Sequence, residues 1–435
     1  MFETRVIRSL CATALGCATL ASATFAQAAR APRPGEKGAP GLALFAKKAL
    51  TAAWEGEQFI DDVVLLVKDG HIEAIGPRKT TAVPDGYQTR ELGAHWIMPG
   101  MIDLHCHTGG SGDINDMVYV TTPELRVSST VMPSNINLER QLAGGVTSIL
   151  YIPGSGTNSG GQGVLMKTGI GHYEDALIRN PGSLKVAQWG NPERWAIGVG
   201  KTFENFHIRR MFQEGFAYAK QWKDFDEGKG PKPERNIQFD LFRELLSKRT
   251  QVSVHTQVAQ VVMMTIVMIR GEFGADVYID HGEFGGYLYA PLAKKMGVPA
   301  IIGPRNVDCP DRTYINWVGI NPERMEGLAA AYQERGLEVG FNTDCPVIPG
   351  EELFLQSAIG VRLGLHNDAM QAVRGLTIIP ARTAGIDKRV GSLEVGKDAD
   401  VLVITGDPSD PRTAVDEAYI NGEHVYDTAR DQRRF

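Results

Sequence analysis

Five polar residues of metal-binding type each stand at or near the end of a short apolar run, and this repeat constrains the chain more than any other feature. The first run, Trp96-Ile-Met-Pro-Gly-Met-Ile-Asp-Leu-His-Cys-His-Thr108, ends in His105 and His107. Alternate side chains of a strand share a face, so the two imidazoles project together. Paired neutral imidazoles make half of a site for zinc or a similar borderline cation. Val252-Ser-Val-His-Thr256 then carries His255, Val277-Tyr-Ile-Asp-His281 ends in His281, and Glu338-Val-Gly-Phe-Asn-Thr-Asp344 ends in Asp344. The C-terminal ends of parallel strands are where a (β/α)8 barrel carries its catalytic groups.

Eight apolar runs can be counted, at 101–107, 148–152, 163–167, 184–188, 252–256, 277–280, 300–302 and 338–342. Helical patterns separate most of them, at 136–142, 258–269, 287–295 and 322–335. Between the second and third runs there is only Gly154-Ser-Gly-Thr-Asn-Ser-Gly-Gly-Gln-Gly163, too short for a helix, so an irregular barrel is expected there. This glycine-rich loop reads as an active-site rim, with a backbone cradle for an anion as the alternative. A long insertion, 191–250, reads as a helix over 203–225, a charged loop and a second helix over 239–247, and is expected to be a lid or an oligomer contact.

Both chain ends are β-rich. Residues 42–95 contain Asp69-Gly70 between two apolar runs, and 388–430 contain Asn421-Gly422 in the same setting, both strong hairpin signals. Neither half buries a face alone, so the two are expected to pair into one small β-sandwich beside a barrel of residues 96–387.

Residues 1–28 read as a secretory signal peptide: Arg5 and Arg8 precede an alanine-rich apolar segment, and Ala26 and Ala28 offer small side chains for cleavage. Lipidation at Cys17 is disfavoured, because Ala14 stands where a larger aliphatic residue is expected. Residues 29–41 form a proline- and glycine-rich tether, and the mature chain is expected to be periplasmic with no membrane span. A formal net charge of -6 supplies no basic patch for nucleic acid. Three cysteines remain after the signal segment, an odd number that argues against a disulfide framework. Cys106 and Cys345 adjoin proposed ligands on runs that meet in a closed barrel, where small buried hydrophobes are favoured over a bridge.

Pro99-Gly-Met-Ile-Asp-Leu-His-Cys-His107, Gly144-Gly-Val-Thr-Ser148, the later single histidines, Thr343-Asp344 and Gly391-Ser-Leu-Glu-Val-Gly-Lys-Asp-Ala-Asp-Val-Leu-Val403 together resemble the amidohydrolase superfamily of metal-dependent hydrolases. The resemblance spans roughly residues 42–427 and is nearest the imidazolonepropionase-like and prolidase-like group. It implies an irregular TIM-type barrel with a small β-sandwich, and one or two divalent ions, zinc first among them, on His105, His107, His255, His281 and Asp344. Two close dications need a bridging anion to offset their repulsion. In binuclear members that bridge is a lysine carboxylated by CO2 at the end of the fourth strand, which here points to Lys185, with Lys167 at the end of the third run as the competitor.

With this constellation the expected reaction is hydrolysis of an amide or cyclic-amide C–N bond of a small molecule by metal-activated water, with Asp344 as ligand and as base, then acid. Arg305 is a candidate for a substrate carboxylate, and Tyr151 and His172 are further substrate-binding candidates; Trp189 could wall the pocket. Each has an ordinary packing or salt-bridge reading beside it. An Xaa-Pro-type dipeptidase on the same site and an inactive exported metal-binding protein are the alternatives. A deaminase of the His-x-x-Glu type is disfavoured, because His255-Thr-Gln-Val258 ends in valine.

Overall fold

The computed structural model describes residues 38–112, 114–188, 200–310, 312–319 and 324–431. The signal segment, most of the tether, Trp189 and the first part of the insertion lie outside the described residues.

The amino-terminal half of the first sheet is laid down by β1 (Leu42–Leu50), β2 (Phe59–Lys68), β3 (His71–Pro77), β4 (Gln88–Glu91) and β5 (Trp96–Pro99). β2 and β3 are antiparallel with Lys68 opposite His71. The intervening Asp69 and Gly70 have φ of 49° and 81°, the left-handed pair that a tight hairpin turn requires. β1 branches the sheet, pairing β2 along one edge and, along the other, β4 with its first half and β5 with its second.

The chain then enters the barrel through β6 (Met101–Cys106), β7 (Val146–Tyr151), β8 (Ser159–Lys167), β9 (Leu177–Ala187), β10 (Val252–Thr256), β11 (Val277–His281) and β12 (Ala300–Ile302). A two-strand ribbon, β13 (Val307–Asp308) with β14 (Glu326–Gly327), precedes the last barrel strand, β15 (Val339–Phe341). The barrel strands pair in the order β15-β12-β11-β10-β9-β8-β7-β6. Closure comes from a parallel bridge between Cys106 and Cys345 and a 2.8 Å bond from the His107 N–H to the Cys345 carbonyl. Both cysteines are buried free thiols at this seam.

β8 pairs antiparallel with both β7 and β9, whereas the other pairings in the barrel are parallel. The physical reason is the short glycine-rich connection: a parallel return needs a crossover of about a dozen residues, and the chain between β7 and β8 supplies fewer. Reversal of this one strand carries its C-terminal end, with Lys167 and the following turn, to the floor of the barrel.

The sheet is completed by β16 (Val401–Ile404), β17 (Val415–Ile420) and β18 (Glu423–Asp427). β16 pairs antiparallel with β5, so the two chain ends share one eight-stranded, branched sheet. An apolar cluster drawn from both ends packs on it: Leu44, Val63, Leu65 and Ile97 with Val401 and Tyr419. The turn between β17 and β18 uses Asn421 and Gly422 at φ of 50° and 74°.

The insertion forms α1 (Lys201–Asp226) and α2 (Asp240–Leu246). They pack through Phe212, Phe216 and Phe242 against Phe273 of the barrel's outer layer, with ring centroids 5.4–6.0 Å apart. A Cβ on Gly215 would lie 2.4 Å from the Phe242 ring, which explains a glycine inside a long helix.

Candidate metal centre

His105 on β6, Lys185 on β9, His255 on β10 and His281 at the end of β11 are fully buried or nearly so at the barrel mouth, with His107 and Asp344 just past the ends of β6 and β15. The residues converge. Asp344 Oδ1 lies 3.3 Å from His105 Nε2 and 3.1 Å from His107 Nε2. Lys185 Nζ is 2.9 Å from His105 Nε2, and His281 Nε2 is 2.8 Å from His255 Nδ1. Two three-residue groups, His105/His107/Asp344 and His105/His255/His281, each offer ligand atoms within 4.8 Å of one another, and His105 belongs to both.

Ring orientation follows from what the outer nitrogens face. His107 Nδ1 is 2.9 Å from the Ile152 carbonyl and His281 Nδ1 is 2.6 Å from the Gly303 carbonyl. A carbonyl only accepts, so both rings carry the proton on Nδ1 and leave the Nε2 lone pair bare towards the centre. Burial holds His105 and His255 well below the ordinary imidazole pKa and brings His281 down to about 4, so all three present lone pairs at neutral pH. His255 Nε2 is buried with no hydrogen-bond partner among the described residues. Bare imidazole nitrogens facing one another and a carboxylate are the donor set a divalent cation requires, and the residues present fit one or two such ions.

Electrostatics divide the acids and the base. Burial brings Lys185 down to about 8, so its amine is within reach of neutral pH. Burial pushes the Asp344 carboxyl up, but its neighbours His107, His281 and Lys185 outweigh burial and hold the group below its usual range. His281 and Asp344 sit at φ of 66° and 49°, left-handed backbone that a side chain enters only under constraint. Each such residue costs about 1–3 kcal/mol and is characteristic of functional strand ends.

Other expected site residues are placed elsewhere. Lys167 points to the barrel floor, with Nζ 2.8 Å from Asp398 Oδ2, 2.9 Å from Asp400 Oδ1 and 2.5 Å from Asn421 Oδ1. It is removed from the centre because β8 runs backwards. His172, exposed in the turn that follows the same strand, goes with it. Tyr151 is fully buried, its hydroxyl 2.9 Å from Thr130 Oγ1 and its ring against the backbone of Gly109. Arg305 stays on the rim, half exposed, with its guanidinium 4.5 Å from the Phe284 ring centroid and 3.9 Å from Glu283 Oε2.

Three residues were not singled out in the sequence. Ser155 of the glycine-rich loop reaches the centre, its Oγ 3.0 Å from His255 Nδ1. Asp103 takes the Thr343 hydroxyl at 2.5 Å and the His105 N–H at 3.0 Å. Asp280 stands fully buried with Oδ2 3.3 Å from His105 Nδ1. The signal for both acids was present: each is a carboxylate inside an otherwise apolar strand, two residues before or one before a ligand histidine.

Comparison with known proteins agrees with this arrangement. The amidohydrolase family profile ("Amidohydrolase family") matches residues 293–426. An imidazolonepropionase of Pseudomonas fluorescens is 31% identical over 371 residues, covering 79% of this chain and 87% of the relative. Amidohydrolase tasK of Hapsidospora irregularis is 23% identical over 413 residues, 86% of this chain, which spans 40% of that longer protein. The crystal structure of an amidohydrolase from Thermotoga maritima superposes with a TM-score of 0.76 at 25% identity, covering 89% of this chain and 100% of that one. From the extent of the 31% match, together with the closed, mostly parallel barrel and the histidine-lined mouth, the chain belongs to the amidohydrolase family, the metal-dependent hydrolases its motifs resemble.

Proposed function

We propose that the protein hydrolyses an amide or cyclic-amide C–N bond of a small substrate at a centre of one or two divalent ions, zinc first among them. The observation that carries this reading is the position of Asp344, whose Oδ1 lies 3.3 and 3.1 Å from the inward nitrogens of His105 and His107 while His255 and His281 face it from the neighbouring strands. The 31% identical relative is named for an imidazolone, a ring that holds such a bond, which puts cyclic amides first among the substrates to try.

His105, His107, His255, His281 and Asp344 would hold the ions. Lys185 would bridge them once its neutral amine has taken up CO2 as a carbamate, with release of one proton. When bound, such ions lower the pKa of water towards neutrality and polarise a carbonyl. The side chains do the rest. Asp344, kept ionised by its imidazole neighbours, accepts a proton from the attacking water and returns it to the leaving nitrogen. Outer-nitrogen bonds to Ile152 and Gly303 stop His107 and His281 from rotating out of place. Arg305, half exposed at the rim, is available to a substrate carboxylate.

Export through the signal segment to the periplasm completes the reading, and no described helix is long and apolar enough to cross a membrane. The test is metal analysis of purified protein combined with turnover of cyclic imides, N-acyl amino acids and Xaa-Pro dipeptides. One or two ions per chain with hydrolysis in any class supports the proposal. Two ions per chain with no amide cleaved in any class turns the reading to a metal-binding protein.

A further inference from the structure

We propose that Asp280 is the positioning residue for His105, the ligand common to both halves of the centre; this rests on the metal reading above. Asp280 is 0% exposed and, among the described residues, neither of its carboxylate oxygens has a hydrogen-bond partner, and His105 Nδ1 is likewise buried without one. The two unpartnered groups face each other at 3.3 Å. A buried carboxylate left wholly unsatisfied costs several kcal/mol, so a fold that keeps one beside an unpartnered imidazole N–H has a use for the pair.

The comparison among the histidines gives the pairing its meaning. His107 and His281 are oriented by neutral backbone carbonyls, of Ile152 and Gly303. His255 touches the Ser155 hydroxyl. His105 alone of the four faces a carboxylate with its outer nitrogen, and His105 alone belongs to both three-residue groups. A carboxylate acceptor fixes the proton on Nδ1, leaves Nε2 bare towards Lys185 and Asp344, and makes that nitrogen a stronger donor than a carbonyl partner would. The strand positions require it: Asp280 lies opposite His255 in the β10–β11 register and one residue before His281, so a single strand end supplies one ligand and the support for another.

Asp280→Asn keeps the shape but offers an amide N–H as readily as an oxygen, which allows the ring to settle with its proton on Nε2. Zinc affinity is to be measured by chelator competition and the visible spectrum of the cobalt-loaded protein recorded, for the parent, Asp280→Asn, Asp280→Glu and Asp308→Asn. Asp308 is a comparably buried acid that, among the described residues, accepts the Phe284 and Gly285 N–H groups, and controls for loss of a buried carboxylate. The expected result is zinc binding weakened about 10–100-fold in Asp280→Asn with a changed cobalt spectrum, partial recovery in Asp280→Glu, and parental affinity in Asp308→Asn. Circular dichroism of each metal-free variant reports folding separately. Affinity of Asp280→Asn within threefold of the parent overturns the proposal, as does a loss of fold in both Asp280 variants with parental affinity in the folded fraction. A parent that binds no zinc or cobalt in the same titration refutes the metal reading itself and the proposal with it.

Discussion

Lys185 and Lys167 lie on adjacent strands of one barrel and are 0% and 1% exposed, yet they occupy opposite kinds of environment. At the floor, Lys167 binds two carboxylates and an amide from the carboxy-terminal part of the chain, an ion cluster that ties the barrel to the branched sheet. At the mouth, Lys185 finds an imidazole at 2.9 Å and, among the described residues, no carboxylate within ion-pair distance, and burial lowers its pKa to about 8. Equal burial leaves one lysine a strut paired with carboxylates and the other a chemically available amine. The difference is made by neighbouring charge, and strand direction decides which neighbours each side chain has.

The sharpest break of this comparison comes at the mouth. Asp344→Asn should leave metal bound while lowering kcat by several orders of magnitude; kinetics beside metal analysis check it, and a mild loss would remove Asp344 from proton transfer. Next in size, Lys167→Met removes the cation shared by Asp398 and Asp400, leaving Arg389 for Asp398 but, among the described residues, only the Asn421 N–H for the buried Asp400, and should cost about 3–5 kcal/mol in denaturant unfolding with metal content unchanged. A loss of metal in that variant would mean the floor lysine serves the centre after all.

Lys185 makes the opposite prediction. Its folded pKa, about 8, is below the unfolded value near 10.5, so the unfolded chain binds more protons between those pH values and stability rises with pH through that window. The metal-free protein should therefore gain on the order of 3 kcal/mol from pH 8 to 10.5, and Lys185→Met should flatten the rise. The same variant should lose the second ion, with partial return on adding a small carboxylate to the buffer. Smallest of all, Ser155→Ala should weaken metal binding about tenfold, the lower end of the range for groups that orient a ligand. An unchanged affinity would make the glycine-rich loop a rim only.

Much of this was legible from residue order. His105, His107, His255, His281 and Asp344 announced themselves because a strand end is a local property: a β-branched apolar run stopped by a ligand-type side chain can be read without knowing what lies across the barrel. The two hairpin turns were equally plain, since Asp69-Gly70 and Asn421-Gly422 are among the few pairs that enter left-handed backbone cheaply. The glycine-rich connection even flagged irregularity, being too short for a crossover helix.

Direction was not legible there. An apolar alternation reads the same in a parallel and an antiparallel strand, so the third run gave no sign that its C-terminal end lay at the floor, and Lys167 and His172 followed it away from the centre. Tyr151 is a related case, since a side chain at a strand end can turn into the packing as easily as into the mouth. Asp280 takes its meaning from the fold as well: a lone acid in an apolar strand signals some use, but only the approach of β6 across the barrel interior supplies the imidazole that gives it one. The chain by itself therefore determined which residues could bind a cation and where each strand would stop, because those depend on local composition and alternation. Which of them share a charge, a proton or a ring nitrogen was decided by the folded barrel, because electrostatic partnership is set by distance through space.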